Sequence, residues 1–172
     1  MTNSVKIIGI TLGVIAISAL PIWMNFSTKL VYNPSASAPI GYYWVDGIAA
    51  NTKLKIGSYV VIPTPSKYKL MAAKRHYLPI NVPLIKKVVA LSGDEICRQH
   101  QTVFINGKPV AEALITDTSG RKLPSWSGCF TLKNDEFFAL MNAKDSFDGR
   151  YFGALKTKNI IGIATILFET SP

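Results

Sequence analysis

The densest block of apolar positions lies at the start of the chain. From Ile7 to Phe26 run 20 residues without a charge, rich in Ile, Leu, Val and Ala. Wound as a helix at about 1.5 Å per residue, this segment spans about 30 Å, the depth of a bilayer's hydrocarbon core. Pro21 and Trp23 fall near its end, where an interfacial aromatic residue is expected. Beyond it the pattern changes to short runs separated by turn residues, the signature of an all-β domain. The expected strands are Gly41–Val45, Ser58–Ile62, Ile85–Leu91, Glu95–Arg98, Thr102–Ile105, Lys108–Val110, Phe137–Leu140 and Ile160–Phe168. Asn106-Gly107 predicts a tight hairpin between two of them, and Ser92-Gly93-Asp94 marks another turn. One helix is expected over Ser66–His76, a stretch without Gly or Pro that Ser66 would cap. No strand–helix–strand alternation recurs, which speaks against a parallel α/β sheet.

The pattern divides the chain into a tail over residues 1–6, a transmembrane anchor over 7–28 and a mainly β domain over 29–172. A short helical insertion interrupts the last at 66–77. A cleavable leader competes for the first segment, because Ala36-Ser37-Ala38 has the small-residue character of a cleavage site. The apolar run exceeds the roughly 7–15 residues of such a leader and ends about ten residues too early. Pro39 would also follow the cut directly. An uncleaved anchor is therefore expected. Lys6 lies before it and Lys29 just after, so charge alone orients it only weakly.

Composition adds a partner. The net charge is +9, from 19 basic and 10 acidic side chains. Such an excess suits nucleic acid or lipid headgroups. The basic residues are scattered, the longest cluster being Lys74-Arg75-His76, and no nucleic-acid-binding signature is present. Membrane lipid is the expected partner and nucleic acid is not. The anchor also places the domain in an oxidising compartment, where Cys97 and Cys129 are expected to form a disulfide. No metal site is expected, since His76 and His100 share no ligand spacing with either cysteine.

Three stretches carry candidate chemistry. Asn33-Pro34-Ser35-Ala36-Ser37-Ala38-Pro39 is a turn-rich segment leaving the membrane. In Pro83–Asp94, Lys86 and Lys87 interrupt an apolar strand whose two faces are both hydrophobic. At least one ammonium must then be buried, paired or lifted out along its stem. Asp145–Gly153 combines a polar turn with Asp148 and Arg150, close enough in sequence to pair.

Together, and in this order, the stretches resemble the type I signal peptidase family. Pro34-Ser35-Ala36-Ser37 matches its nucleophile motif just past a transmembrane helix. Ile85-Lys86-Lys87 through Gly93-Asp94 matches its general-base strand, and Ser146 through Gly153 its late box. Gly57-Ser58-Tyr59-Val60-Val61 is similar to a further family strand, with Ser where Asp is usual. The resemblance implies a coiled antiparallel β-sheet catalytic domain carrying a Ser–Lys pair. Ser37 would attack and Lys86 would act as its base. The Ser35 hydroxyl and the Ser37 backbone N–H would form the oxyanion hole, Ser146 would orient Lys86, and Asp148 with Arg150 would hold that loop.

The physical logic agrees. A serine hydroxyl needs a base, and lysine serves only as the neutral amine. An apolar setting disfavours the ammonium and lowers its pKa. No cofactor is called for. The departures narrow the resemblance: Ala38-Pro39-Ile40-Gly41 follows the nucleophile, Met141-Asn142-Ala143-Lys144 precedes the late box, and there is one anchor with no room for a large accessory domain. These features are similar to the conjugative-transfer branch of the family, which matures pilins. That implies a pilin or other exported precursor as substrate, a monomeric single-pass enzyme of the bacterial inner membrane, and a periplasmic catalytic domain. Hydrolysis and cyclisation by the substrate's own amine both stay open. The alternatives are a general signal peptidase, a non-catalytic envelope scaffold, or a self-cleaving Ser–Lys repressor. The last would need a DNA-binding domain where this chain has its apolar segment.

Overall fold

The computed structural model describes residues 10–11, 29–48 and 52–170. Apart from Ile10 and Thr11, the anchor expected over 7–28 lies outside the described residues, as does the tail at 1–6. Among the described residues no helix is long and apolar enough to cross a membrane. The domain from Lys29 onward is mainly β, with every strand pair antiparallel.

Its strands are β1 (Lys29–Asn33), β2 (Gly41–Gly47), β3 (Tyr59–Ile62), β4 (Leu84–Ala90), β5 (Glu95–Gln99), β6 (Thr102–Ile105), β7 (Lys108–Glu112), β8 (Gly128–Thr131), β9 (Glu136–Leu140), β10 (Leu155–Lys156) and β11 (Gly162–Glu169). The expected antiparallel sheet is divided in two. Seven strands pair in the order β1-β2-β11-β3-β4-β9-β10, and four in the order β7-β6-β5-β8. The turn after β4 separates them, pinned by Asp94 Oδ2 accepting from the Leu91 N–H at 2.8 Å. Asn106 and Gly107 take positive φ, 49° and 76°, as the hairpin between β6 and β7 requires.

Helix α1 covers Ser66–Lys74 and α2 is a single turn at Gly149–Phe152. Ser66 is not the cap of α1. Pro65 holds that position without a side-chain hydrogen bond, and Arg75 closes the other end. Proline tolerates the place because its fixed φ suits a helix start and the N–H it lacks would be unpaired there.

Both faces of the large sheet are buried near its centre. Tyr43, Val61 and Ile85 pack on one side, while Val60, Val88 and Phe137 pack in a second cluster. Ala90, Phe138 and Leu140 join Ile96 and Val103 to seat the small sheet against the large one. A fourth cluster brings Ala72 of α1 onto Phe147 and Tyr151. The helix thus packs directly on the segment that contains the late motif.

Candidate active site

The Ser37 segment is a seven-residue connection between β1 and β2, which pair from Lys29↔Val45 to Asn33↔Gly41. Asn33 organises it from inside. Its Nδ2 donates to the carbonyls of Ser35 (2.9 Å), Ala38 (3.2 Å) and Pro39 (3.0 Å), and its Oδ1 accepts from the Ser35 N–H at 3.2 Å. The Tyr43 hydroxyl donates to the Pro39 carbonyl at 2.8 Å. Burial, with the Tyr59 and Glu169 charges adding to it, pushes that phenol up to about 12, so it stays a donor. Within this frame Ser35 Oγ and Ser37 Oγ are 2.9 Å apart, and the Ser37 N–H donates to Ser35 Oγ at 3.3 Å. The two donors expected to form an oxyanion hole are thus engaged with one another.

Lys86 lies in β4 opposite Val60 and is 2% exposed. Its Nζ donates to Ser146 Oγ at 2.9 Å. Burial lowers its pKa to about 8. The Asp148 carboxylate opposes that shift and the Arg150 guanidinium adds to it. Lys87 takes the other side of the strand and is only half-buried.

Ser146, Asp148 and Arg150 are all buried, at 1%, 0% and 3% exposure. Asp148 accepts from the N–H groups of Met141 (3.0 Å) and Arg150 (3.1 Å), and from Arg150 Nη1 at 3.1 Å. Arg150 then reaches back along the loop, donating from Nη2 to the Met141 carbonyl at 2.7 Å and from Nη1 to the Ala143 carbonyl at 2.9 Å. One ion pair therefore closes the loop that presents Ser146 to Lys86. Burial pushes the Asp148 carboxyl up, against the Arg150 and Lys86 charges.

Residues beyond the three motif stretches hold this loop from outside. Arg98 of β5, 4% exposed, donates from Nη1 to the Arg150 carbonyl at 2.6 Å. Trp126 Nε1 donates to the Gly149 carbonyl at 3.1 Å. Gly149 must be glycine, because a Cβ there would stand 2.7 Å from the Ala139 carbonyl oxygen. No local pattern marks Arg98 or Trp126; only the pairing of sheets brings them to α2. Beside Arg98, Cys97 pairs opposite Cys129 of β8 and the two form the expected disulfide.

Ser35, Ser37, Lys86 and Ser146 line one cavity of about 520 Å³, whose lining also includes Tyr77 and Asp117. Lys86 Nζ bonds to Ser146 and Ser37 Oγ to Ser35, so the two share the cavity without a direct hydrogen bond. Neither His76 nor His100 lines it. Asp117 accepts from the Tyr77 hydroxyl at 2.5 Å and from Arg121 Nε at 2.7 Å. Desolvation alone would raise that carboxyl, but these donors hold it well below the usual range. The arrangement sets a serine hydroxyl and a buried amine of lowered pKa on the lining of one cavity.

Comparison with known proteins adds three findings. The sequence profile of the family described as signal peptidase, peptidase S26, matches residues 1–169. The plasmid transfer protein TraF of Escherichia coli is 32% identical over 142 residues, covering 76% of this chain and 78% of that one. Signal peptidase I V of Bacillus subtilis is 27% identical over 139 residues, covering 70% and 81%.

Proposed function

The chain belongs to the signal peptidase family, and on that footing we propose that it is a membrane-bound serine endopeptidase that cleaves exported precursors, with Ser37 as nucleophile and Lys86 as general base. One observation carries the reading: a fully buried lysine, its pKa lowered to about 8, opens onto the same cavity as Ser37.

Neutral Lys86 accepts the Ser37 proton as Oγ attacks the scissile carbonyl. The developing oxyanion takes hydrogen bonds from the Ser37 N–H and the Ser35 hydroxyl, contributing about 3 kcal/mol each to the transition state. Lys86, now an ammonium, gives its proton to the departing amine. Water, or the substrate's own amine, then opens the acyl-enzyme. Ser146 positions Lys86, and Asp148 with Arg150 fixes Ser146.

Plasmid transfer protein TraF among the relatives favours a pilin of a conjugative transfer system as the precursor. A general signal peptidase role is the second reading, favoured by the Bacillus relative. A catalytic domain on the periplasmic side of a bacterial inner membrane belongs to the same proposal. Seating of the domain on a membrane surface, though not the side, is supported by the exposed apolar face of β1, β2 and β11, where Leu30, Tyr32, Tyr42, Trp44 and Phe168 stand outward. Tyr43, between two of these, is fully buried and takes no part in that face.

The test is incubation of the purified protein with a pilin precursor, beside Ser37→Ala and Lys86→Met, with products weighed. Cleavage by wild type alone is expected. A mature product lighter by one water would mark cyclisation. Equal cleavage by either variant would sink the mechanism, and no cleavage by wild type would favour a scaffold.

A further inference from the structure

A second concavity, about 690 Å³, adjoins the catalytic one. It lies between the large sheet, at β4 and β9, and the hairpin β6–β7 of the small sheet. Its floor is apolar, formed by Val89, Ile105, Val110 and Leu140. Its rim carries Lys87, Lys108 and Lys144 against one carboxylate, Glu112. Among the described residues none of the three lysines forms an ion pair with a carboxylate.

Two features tie this trough to the active site. Leu114, 41% exposed, lines both cavities. The loop after β9 alternates between them: Met141, Asn142 and Lys144 line the trough, whereas Ala143, Asp145 and Ser146 line the catalytic cavity. A chain threading past Ser146 therefore has the trough as its next open space. Strand β7 is an edge of its sheet, so backbone groups on its outer side are open to an extended chain. Val110, skipped in the register between β6 and β7, is 44% exposed there.

We infer that the trough is a second substrate-binding region, which takes an extended precursor segment of alternating apolar and acidic residues on one side of the scissile bond. An apolar floor accepts every second side chain of such a strand, and the cationic rim pairs with those between. The proposal rests on the peptidase reading above. Anionic lipid would satisfy the same charges, but the exposed aromatic face lies at β1–β2–β11, at the other end of the seven-strand order. The trough's position beside the catalytic cavity favours peptide.

Two arms test it, with the full chain in detergent. In the first, Ser37→Ala protein is titrated into a fluorescent decapeptide of alternating Leu and Glu, and into the same peptide with Lys for Glu. Anisotropy should give binding about tenfold tighter for the acidic peptide, an advantage that shrinks as salt rises. It should vanish in a variant that adds K87Q, K108Q and K144Q, whose melting temperature is checked against the parent. Equal binding of the two peptides, or an advantage that survives in the Gln variant, would overturn the inference. So would a Gln variant that loses binding to phosphatidylglycerol vesicles while keeping the acidic peptide.

In the second arm, a cleavable peptide is compared with and without an acidic–apolar extension. The extension should lower KM severalfold with kcat unchanged in wild type, and have no effect in the Gln variant of the active enzyme. An extension without effect in wild type overturns the trough while leaving the peptidase reading intact. If wild type cleaves neither peptide, the peptidase reading fails and the anisotropy arm still decides whether the trough binds.

Discussion

Lys86 and Ser146 are 60 positions apart in the chain and 2.9 Å apart in space, and both are withdrawn from solvent. A neutral hydroxyl compensates a buried ammonium poorly, so the charged form is disfavoured. The rising limb of kcat/KM against pH is therefore expected near 8, where Lys86 loses its proton. A limb near 10 would mean an ordinary solvated lysine. Ser146→Ala should lower kcat by roughly tenfold to a hundredfold with little change in KM, because the amine loses its aim.

The same shift makes a stability statement. In the folded chain Lys86 holds its proton less tightly than an unfolded lysine, whose pKa is about 10.4. Between about pH 8 and 10.4 the unfolded chain binds more protons, so stability climbs with pH. Below 8 the whole penalty applies, about 3 kcal/mol. Lys86→Met removes it but leaves Ser146 Oγ without its partner, which costs about 1 kcal/mol. The variant should be inactive yet more stable at pH 7 by about 2 kcal/mol in denaturant titrations. Its advantage should shrink as pH rises above 8 and be gone by about pH 10, where the wild-type lysine is already neutral.

Arg150 is closer to a fastener than to a charge. Its donors reach three carbonyls and a carboxylate, all within the segment from Met141 to Asp148. Arg150→Ala leaves Asp148 buried and unpaired, and should cost about 3–5 kcal/mol by thermal or chemical unfolding. Arg150→Lys keeps the charge but loses the planar fork, so it should still lower kcat while preserving the fold.

Much of the fold was legible because its signals are local. Asn106-Gly107 encodes a hairpin in two residues, and Ile85–Leu91 encodes a buried strand by apolar content alone. Strand β1 was not, since Lys29–Asn33 turns Leu30 and Tyr32 outward and leaves only Asn33 buried. Gly128–Thr131 escaped because its partner, β5, lies some 30 residues back in the chain. The candidate site divides in the same way. Ser37, Lys86, Ser146, Asp148 and Arg150 announce themselves through motif resemblance; the structure puts the first three on one cavity and the Asp148–Arg150 pair in the loop that carries Ser146. Asn33, Arg98 and Trp126 act by reaching a backbone carbonyl, and a carbonyl has no sequence signature.

The disulfide separates stability from chemistry. Cys97 and Cys129 join β5 to β8 across 32 positions, and the bond should contribute about 3–4 kcal/mol on the chain-entropy account. Its loss, in a Cys97→Ser, Cys129→Ser variant or under reductant, should lower the melting temperature by about 10 °C. Lys86, however, takes its burial from the large sheet, where β4 lies between β3 and β9, and no disulfide belongs to that sheet. The pH limb near 8 should therefore stay in place. Arg98 is the link between the two, since it follows Cys97 in β5 and holds the Arg150 carbonyl. Arg98→Met leaves that carbonyl unpaired and should cost about 1–3 kcal/mol. Unlike loss of the disulfide, it should also reduce kcat, because the loop carrying Ser146 is freed on one side. Thermal unfolding and pH–rate profiles of both variants check the distinction. A limb that moved on reduction would show that the small sheet sets the lysine's environment after all.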